Sequence, residues 1–270
     1  VVSLGTSAPE LFVSIGSVLK NSDSLAVGNV VGSNIFNVLV VLGSSALVLP
    51  LKVESRLVRR DVPLLIAVSA AVWGMASAGK VTWQAGIALL IALVINTVWE
   101  IRTVREEPEE TKEAEPKIDP ESAMRGYIEP FVSLTGGILL LTFGSKFLVN
   151  GATTSAELLG VSEAIIGLTI VSAGTSMPEL ITSLVAALKG RTDLAIGNVV
   201  GSSLLNQLLV LSSSAVAAGS DSLTVEKIII QRDMPIMVLT TLACMPIFWT
   251  KGRISRLEGG LLLILYFFYL

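Results

Sequence analysis

The chain has 270 residues, of which 52% are hydrophobic and 15% are charged, and its formal net charge is −3. A mean hydropathy of +0.75 is far above what a soluble domain of this length needs to fill its core. A single cysteine and the absence of histidine exclude an internal disulfide and a conventional zinc, copper or iron–sulfur site. We therefore predict an all-α polytopic membrane protein in a lipid bilayer, with no nucleic-acid partner and no cofactor, in which any metal ion is held by oxygen.

Runs of roughly 20 mostly apolar residues, the length that spans a bilayer, recur along the sequence. They predict helices near residues 1–19, 23–49, 62–79, 81–104, 127–150, 161–188, 192–218, 233–249 and 255–270. Residues 105–124 are acidic, contain proline and lack aromatic residues, so we predict a solvated linker there. This linker separates two transmembrane halves, residues 1–104 and residues 125–270.

The first predicted helix carries a motif that the sixth one repeats. Residues 3–14 (SLGTSAPELFVS) and residues 172–183 (SAGTSMPELITS) agree at eight of twelve positions. Residues 26–37 (AVGNVVGSNIFN) and residues 195–206 (AIGNVVGSSLLN) also agree at eight of twelve. Both pairs are separated by 169 residues, so the two halves form an internal repeat.

The repeat continues beyond these motifs, because residues 60–63 (RDVP) correspond to residues 232–235 (RDMP). The second copy has a further predicted helix at 127–150 before its motif, and the first copy has no counterpart to it. From this match we expect roughly 45 more residues before the first copy, about eight after the last helix, and two five-helix halves in the full protein.

The relative direction of the two copies follows from counting helices. Five helix steps separate the two motif helices, and each step reverses the direction across the bilayer, so the repeat is inverted. When the acidic linker is placed on the cytoplasmic side, 14 of the 19 Lys and Arg lie on that side, four lie outside, and the remaining one, Lys146, lies within a helix. This asymmetry is the one that the positive-inside rule requires.

A carboxylate follows a proline within each motif helix, at Glu10 and Glu179. A charge inside a membrane span costs about 3 kcal/mol or more, so it faces the bundle interior and marks a functional site. Pro9 and Pro178 each remove one helix hydrogen bond. A broken helix is tolerated at membrane depth only where it is buried or lines a watery cavity.

Hydroxyl and amide oxygens accompany the two carboxylates, and such oxygens are the ligands that calcium and sodium prefer. Antiparallel broken helices that meet near the bilayer midplane are typical of secondary transporters. We therefore predict a cation site there. Its candidate residues are Glu10, Glu179, Thr6, Thr175, Ser7, Ser176, Ser33, Ser202, Asn37 and Asn206.

Other residues of the motifs have two possible roles. Gly28, Gly32, Gly197 and Gly201 are small residues at four-residue spacing, which favours close helix packing over ligand contact. Asn29 and Asn198 are either ion ligands or partners in hydrogen bonds between helices, and the sequence favours neither role.

This duplicated set of motifs resembles the two α-repeats of the calcium/cation antiporter superfamily, and prokaryotic sodium/calcium exchangers in particular. The residues that carry the resemblance are GTSAPE (5–10) and GTSMPE (174–179), each followed by GNVVGS, and it covers nearly the whole chain. It implies ten helices, with the ion site on the second, third, seventh and eighth. It also implies a prokaryotic cytoplasmic membrane and calcium extrusion driven by sodium entry through alternating access.

The resemblance implies a role for each candidate residue. Glu10 and Glu179 would be the calcium carboxylates, and Thr6 and Thr175 would lend main-chain oxygens. The sodium positions would be lined by Ser7, Ser33, Ser176 and Ser202, with Ser3 and Ser172 next to them. At the centre would lie Asn37 and Asn206. Some relatives have Asp at the position of Asn206, which leaves the coupling ion and the stoichiometry open.

Three functions other than a sodium-coupled antiporter are compatible with some of these features. A cation channel usually forms its pore by symmetry between subunits rather than by an inverted repeat within one chain. An intramembrane enzyme would need a nucleophile with its base, and none is recognisable. Proton-coupled calcium exchange stays open as the main alternative. We expect the protein to function as a monomer.

Overall fold

The computed structural model describes residues 2–106, 161–249 and 252–270, together with part of the stretch between 136 and 160. The described positions between 136 and 158 are helical, as the sequence predicts for 136–150. The remainder of the helix predicted at 127–150, and residues 107–124 of the predicted linker, lie outside the described residues.

Helices make up most of the described chain. Their bounds are α1 Val2–Thr6, α2 Ala8–Val18, α3 Asp23–Val48, α4 Val62–Ala76, α5 Trp83–Glu106, α6 Glu163–Thr175, α7 Met177–Leu188, α8 Thr192–Asp221, α9 Met234–Trp249 and α10 Arg256–Tyr269. The first and sixth predicted helices are each divided in two, into α1 with α2 and into α6 with α7. The bend between α6 and α7 is 42°.

Several helices contain or follow a π-helical turn, in which the backbone hydrogen bonds are one residue longer than in an α-helix. These turns are Asn37–Leu42 in α3, Gly167–Val171 in α6, Asn206–Leu211 in α8, Leu57–Asp61 before α4 and Ile229–Asp233 before α9. The turns within α3 and α8 lie at equivalent positions of the two copies, and so do the turns that precede α4 and α9. The two halves therefore share local irregularities as well as their helix order.

Helix length and composition fit a membrane protein. Within the described residues, α3, residues Trp83–Thr103 of α5, and α8 are each long and apolar enough to cross a membrane, and the bent pair of α6 and α7 makes a fourth candidate span. In the most apolar 18-residue stretch of each helix, 89% is buried in α3 and 72% in α8, but only 11% in α5. Thus α3 and α8 lie at the centre of the bundle, and α5 lies at its periphery.

Two short ribbons join the halves at the ends of the helices. Leu51–Lys52 (β1) pairs antiparallel with Arg253–Ile254 (β4), and Lys80–Val81 (β2) pairs antiparallel with Leu223–Thr224 (β3). The predicted topology assigns β1 and β4 to the cytoplasmic side and β2 and β3 to the outer side. Each ribbon therefore joins segments assigned to the same side, as alternating helix directions require.

The motif glycines permit close contact between α3 and α6. A β-carbon on Gly28 would lie 3.0 Å from the carbonyl oxygen of Ala164, and one on Gly32 would lie 2.7 Å from Ser172 Oγ. One on Gly201 would lie 2.6 Å from Ser3 Oγ, whereas one on Gly197 would meet no heavy atom of the described chain within 4 Å. The packing role predicted from the sequence is therefore confirmed at Gly28, Gly32 and Gly201. At Gly197 it stays a prediction, because the offset of 169 residues places the equivalents of Ala164 and Leu168 before Val1.

Candidate ion-binding site

The two helix breaks have almost the same backbone geometry. Ser7 separates α1 from α2 with φ −83° and ψ 6°, and Ser176 separates α6 from α7 with φ −85° and ψ 8°. Pro9 and Pro178 lie in the first turns of α2 and α7, where a missing N–H is tolerated. The duplicated sequence therefore folds into duplicated broken helices.

The breaks meet through reciprocal hydrogen bonds between the copies. Ser7 Oγ donates to Glu179 Oε1 at 3.1 Å, and Ser176 Oγ donates to Glu10 Oε1 at 3.0 Å. Each serine thus contacts the carboxylate of the opposite copy rather than that of its own. These two bonds bring the acids together in one centre.

Both carboxylates are fully buried and are not paired with a basic residue in the described chain. Glu10 and Glu179 have 0% exposure, and Oε2 of each makes no hydrogen bond to a described residue. The ion pairs found there involve Glu100, Asp61 and Asp233 instead. An unpaired buried carboxylate is costly, so two of them side by side indicate a place that a cation neutralises.

The two central helices also carry buried neutral oxygens. Ser33 and Asn37 from α3, and Ser202 and Asn206 from α8, all have 0% exposure. The hydroxyl of Ser33 and the amide groups of Asn37 and Asn206 make no hydrogen bond to described residues, and Ser202 lies near Glu179. The two asparagines also begin the π turns of α3 and α8, and such turns are frequent at functional sites.

The motif threonines are hydrogen-bonded across the repeat. Thr175 Oγ1 donates to Asn29 Oδ1 at 3.0 Å, and Thr6 Oγ1 donates to Asn198 Oδ1 at 3.4 Å. Thr6 and Thr175 are 2% and 0% exposed, and they lie near Glu179 and Glu10 respectively. Their hydroxyls are therefore used in interhelical bonds beside the carboxylates.

Asn29 and Asn198 form hydrogen bonds between helices, which is one of the two roles that the sequence left open. Asn29 Nδ2 donates to Ser14 Oγ at 2.9 Å, and Asn198 Nδ2 donates to Ser183 Oγ at 3.0 Å. Together with the threonine bonds, these contacts satisfy the amides between helices. Ser14 and Ser183 are not among the site residues predicted from the sequence, although both are identical positions of the duplicated motif and could have been found from that match.

One further buried amide beside the site was also missed. Gln207 follows Asn206 in α8 and has 0% exposure. The equivalent position in the first copy is Val38, so a comparison restricted to identical positions passes over it. Its signal in the sequence is a difference between the copies rather than a match.

The described residues contain no group of three or more His, Cys, Asp or Glu placed to hold a metal ion. The acids number two, and the other available ligands are neutral hydroxyls and amides. This composition suits hard cations that accept uncharged oxygen ligands, such as calcium and sodium. An inverted repeat around a buried centre of two carboxylates and neutral oxygens is the arrangement that a transporter for cations requires, as in a polytopic membrane exchanger.

The chain belongs to the sodium/calcium exchanger protein family, whose family model matches residues 1–102 and 129–270. CaxA of Alkalimonas amylolytica is 36% identical over 276 residues, which cover 100% of this chain and 84% of CaxA. The inner membrane protein YrbG of Escherichia coli is 31% identical over 265 residues, covering 97% of this chain and 81% of YrbG.

A solved structure has the same fold. The sodium-calcium exchanger NCX_Mj, soaked with 10 mM Na+ and zero Ca2+, matches with a TM-score of 0.77 at 27% identity, over 99% of this chain and 83% of that one. The family, the helical membrane fold and the membrane location predicted from the sequence are thereby confirmed.

Proposed function

We propose that the protein exports calcium in exchange for sodium by alternating access at a site near the bilayer midplane. The observation that carries this proposal is the reciprocal pairing of Ser7 with Glu179 and of Ser176 with Glu10. It joins both broken helices in one buried centre that has two carboxylates and neutral oxygens. NCX_Mj, which has the same fold, is a sodium-calcium exchanger by name.

Charge balance supports calcium as the exported ion. Glu10 and Glu179 together contribute −2 when ionised, and Asn37 and Asn206 contribute oxygens without charge. One calcium ion cancels the two carboxylate charges. A neutral loaded site crosses the low-dielectric barrier more readily than an empty site with two uncompensated charges, which favours exchange over leak.

The kinds of oxygen in the centre support one site for both ions. Calcium takes six to eight oxygen ligands, mainly from carboxylates, carbonyls and water. We assign the calcium site to the carboxylates with the backbone at Thr6 and Thr175, and the sodium positions to the serine hydroxyls. The proposed ion-site residues are thus Glu10, Glu179, Thr6, Thr175, Ser7, Ser176, Ser33, Ser202, Asn37 and Asn206.

The test is calcium flux in sealed proteoliposomes. Vesicles loaded with sodium should take up radiolabelled calcium when diluted into sodium-free buffer, and collapse of the sodium gradient should stop the uptake. The Glu10→Gln, Glu179→Gln double variant is the control for leak. Uptake driven only by a pH gradient would instead support the proton-coupled alternative, and uptake without any counter-ion gradient would indicate a channel.

We also propose that one chain is sufficient for transport. Every proposed ion-site residue comes from the same chain, and the serine–glutamate bonds close the centre without a partner subunit. When parent protein and the Glu179→Gln variant are mixed before reconstitution, exchange should fall in proportion to the parent fraction. A steeper fall would contradict a monomer.

A further inference from the structure

A second group of buried polar residues lies beside the ion site. Gln207 Nε2 donates to Ser69 Oγ at 3.0 Å, to Asn34 Oδ1 at 3.1 Å and to the carbonyl oxygen of Ser203 at 3.4 Å. All four side chains have 0% exposure. We call Asn34, Ser69, Ser203 and Gln207 the Gln207 cluster.

The cluster is connected to the ion site through the backbone of the two central helices. Asn34 lies on α3, and Ser203 and Gln207 lie on α8. Each of the three directly follows a proposed ion-site residue, namely Ser33, Ser202 and Asn206. Ser69 belongs to α4, so the cluster joins the two central helices, α3 and α8, to a third helix.

The repeat does not produce a second, equivalent cluster. The offset of 169 residues places Val38 opposite Gln207, and the RDVP and RDMP match places Thr241 opposite Ser69. Val38 cannot donate a hydrogen bond, and Thr241 Oγ1 donates to Val238 O of its own helix at 2.8 Å. The inverted counterpart of the cluster therefore lacks the amide that would join the helices.

The cluster is also incompletely hydrogen-bonded. Gln207 Oε1 and Ser203 Oγ are buried and make no hydrogen bond to described residues. A buried acceptor without a partner costs free energy, and an apolar residue such as the valine at position 38 would avoid that cost. A role in helix packing alone therefore does not explain an amide at position 207.

An inverted repeat gives this difference a consequence for transport. If both halves were identical, the states open to the two sides of the membrane would be related by symmetry and equal in free energy. Residues that differ between the halves must create any inequality between those states. The Gln207 cluster differs between the halves, is buried, and includes residues of both central helices, α3 and α8, each of which carries two proposed ion-site residues.

We propose that Gln207 is a positioning residue that stabilises the facing state in which the cleft beside α2 is accessible. This inference rests on the alternating access proposed above. The structure contains both features together: the hydrogen bonds of Gln207 are formed, and a cleft of about 540 Å³ extends along α2. Val13 lines this cleft, between Pro9 and Lys20, and its repeat equivalent on α7 is Thr182.

Two reporter cysteines test the proposal in the full-length protein. The native Cys244 is replaced by alanine, and Val13→Cys and Thr182→Cys are introduced separately. The rate of reaction with a water-soluble maleimide is then measured in detergent, with and without Gln207→Val. Gln207→Val introduces the residue that the first copy has at the equivalent position, Val38 of α3. It therefore removes the hydrogen bonds of Gln207 and replaces the amide by an apolar side chain that a central helix accommodates.

We expect the two rates to change in opposite directions. The Val13→Cys rate should fall and the Thr182→Cys rate should rise, so that their ratio changes at least about threefold, which corresponds to one interhelical hydrogen bond of about 0.6 kcal/mol. Ser69→Ala should change the ratio in the same direction. Thr241→Val, at the equivalent position outside the cluster, should leave the ratio unchanged.

Other outcomes would overturn the proposal. A rise in both rates would mean that Gln207→Val only loosens the bundle, and an unchanged or reversed ratio would mean that Gln207 does not stabilise this state. If Gln207→Val does not fold, Ser69→Ala decides the question alone. Failure of the proposed function is distinguishable, because the parent vesicles would then not exchange calcium for sodium, whatever the labelling ratio shows.

Discussion

At the scale of single residues, the strongest dependence is expected at the two glutamates. Two neighbouring carboxylates without a cation repel each other, and a calcium ion cancels both charges. Glu10→Gln or Glu179→Gln keeps the shape and removes one charge, so apparent calcium affinity should fall at least about tenfold, or about 1.4 kcal/mol. Equilibrium calcium binding measures this. Glu54→Gln, at an exposed position, is the control, and equal affinity in the parent and either site variant would refute the assignment.

The charge at Asn206 should determine whether a further monovalent cation takes part. With amides at positions 37 and 206 the site totals −2 and is neutral with calcium, so calcium uptake by the parent should not require potassium. Asn206→Asp adds a third negative charge and should make uptake respond to potassium or protons. Uptake in sodium-loaded vesicles with and without potassium measures the effect, and Asn37→Asp tests the equivalent position. A potassium requirement in the parent would contradict this charge count.

At the scale of helices, the motif glycines set how closely α3 approaches α6. Gly32→Ala would place a β-carbon against the backbone oxygen of Leu168 and against Ser172 Oγ. Overpacking of this kind costs about 1–3 kcal/mol, which exceeds the gain of about 1 kcal/mol from replacing glycine in a helix. Gly74→Ala, at an exposed position of α4 where a β-carbon meets no described atom within 4 Å, should be neutral or slightly stabilising. Thermal unfolding in detergent should separate the two variants, and equal melting temperatures would argue against the contact.

The duplication explains how much of the architecture could be predicted. Matching two copies located the broken helices, the acids and the neighbouring polar residues, and counting helices gave their opposite directions. The structure brings the motif residues of the two broken helices together, with Ser7 and Ser176 each bonded to the acid of the other copy. That exchange of partners was not predictable, because a sequence match relates equivalent positions and carries no information on contacts between copies.

Two other features escaped prediction for different physical reasons. The π turns that begin at Asn37 and Asn206 change the helix by a single residue, and apolar periodicity over a nearly all-apolar span cannot register so small a change. Gln207 escaped because it replaces Val38 instead of matching it. Positions that are identical in the two copies thus identify features that both halves share. Positions that differ, such as Gln207 and Val38, identify residues that can make the two facing states unequal.

At the scale of the whole molecule, the proposed mechanism uses the inversion to hold both the driven and the driving ion in one location. The described residues contain a single centre of fully buried acids within the broken helices, and both copies of the motif contribute to it. A separate polar centre for sodium would need its own oxygens at membrane depth. In the proposed mechanism coupling needs no long-range pathway, because sodium would displace calcium by occupying adjacent serine oxygens and the same glutamates.

This shared-site mechanism predicts competition between the two ions. Raising sodium should weaken apparent calcium affinity without lowering the amount of calcium bound at saturation, because displaced calcium can always displace sodium in return. Ser7→Ala or Ser176→Ala removes a hydroxyl assigned to sodium and leaves the carboxylate charge, so the effect of sodium should fall more than calcium binding itself. Equilibrium calcium binding at several sodium concentrations measures both quantities, with Ser77→Ala at an exposed turn as the control. Calcium affinity that stays constant at saturating sodium would require separate sites and would exclude exchange by displacement.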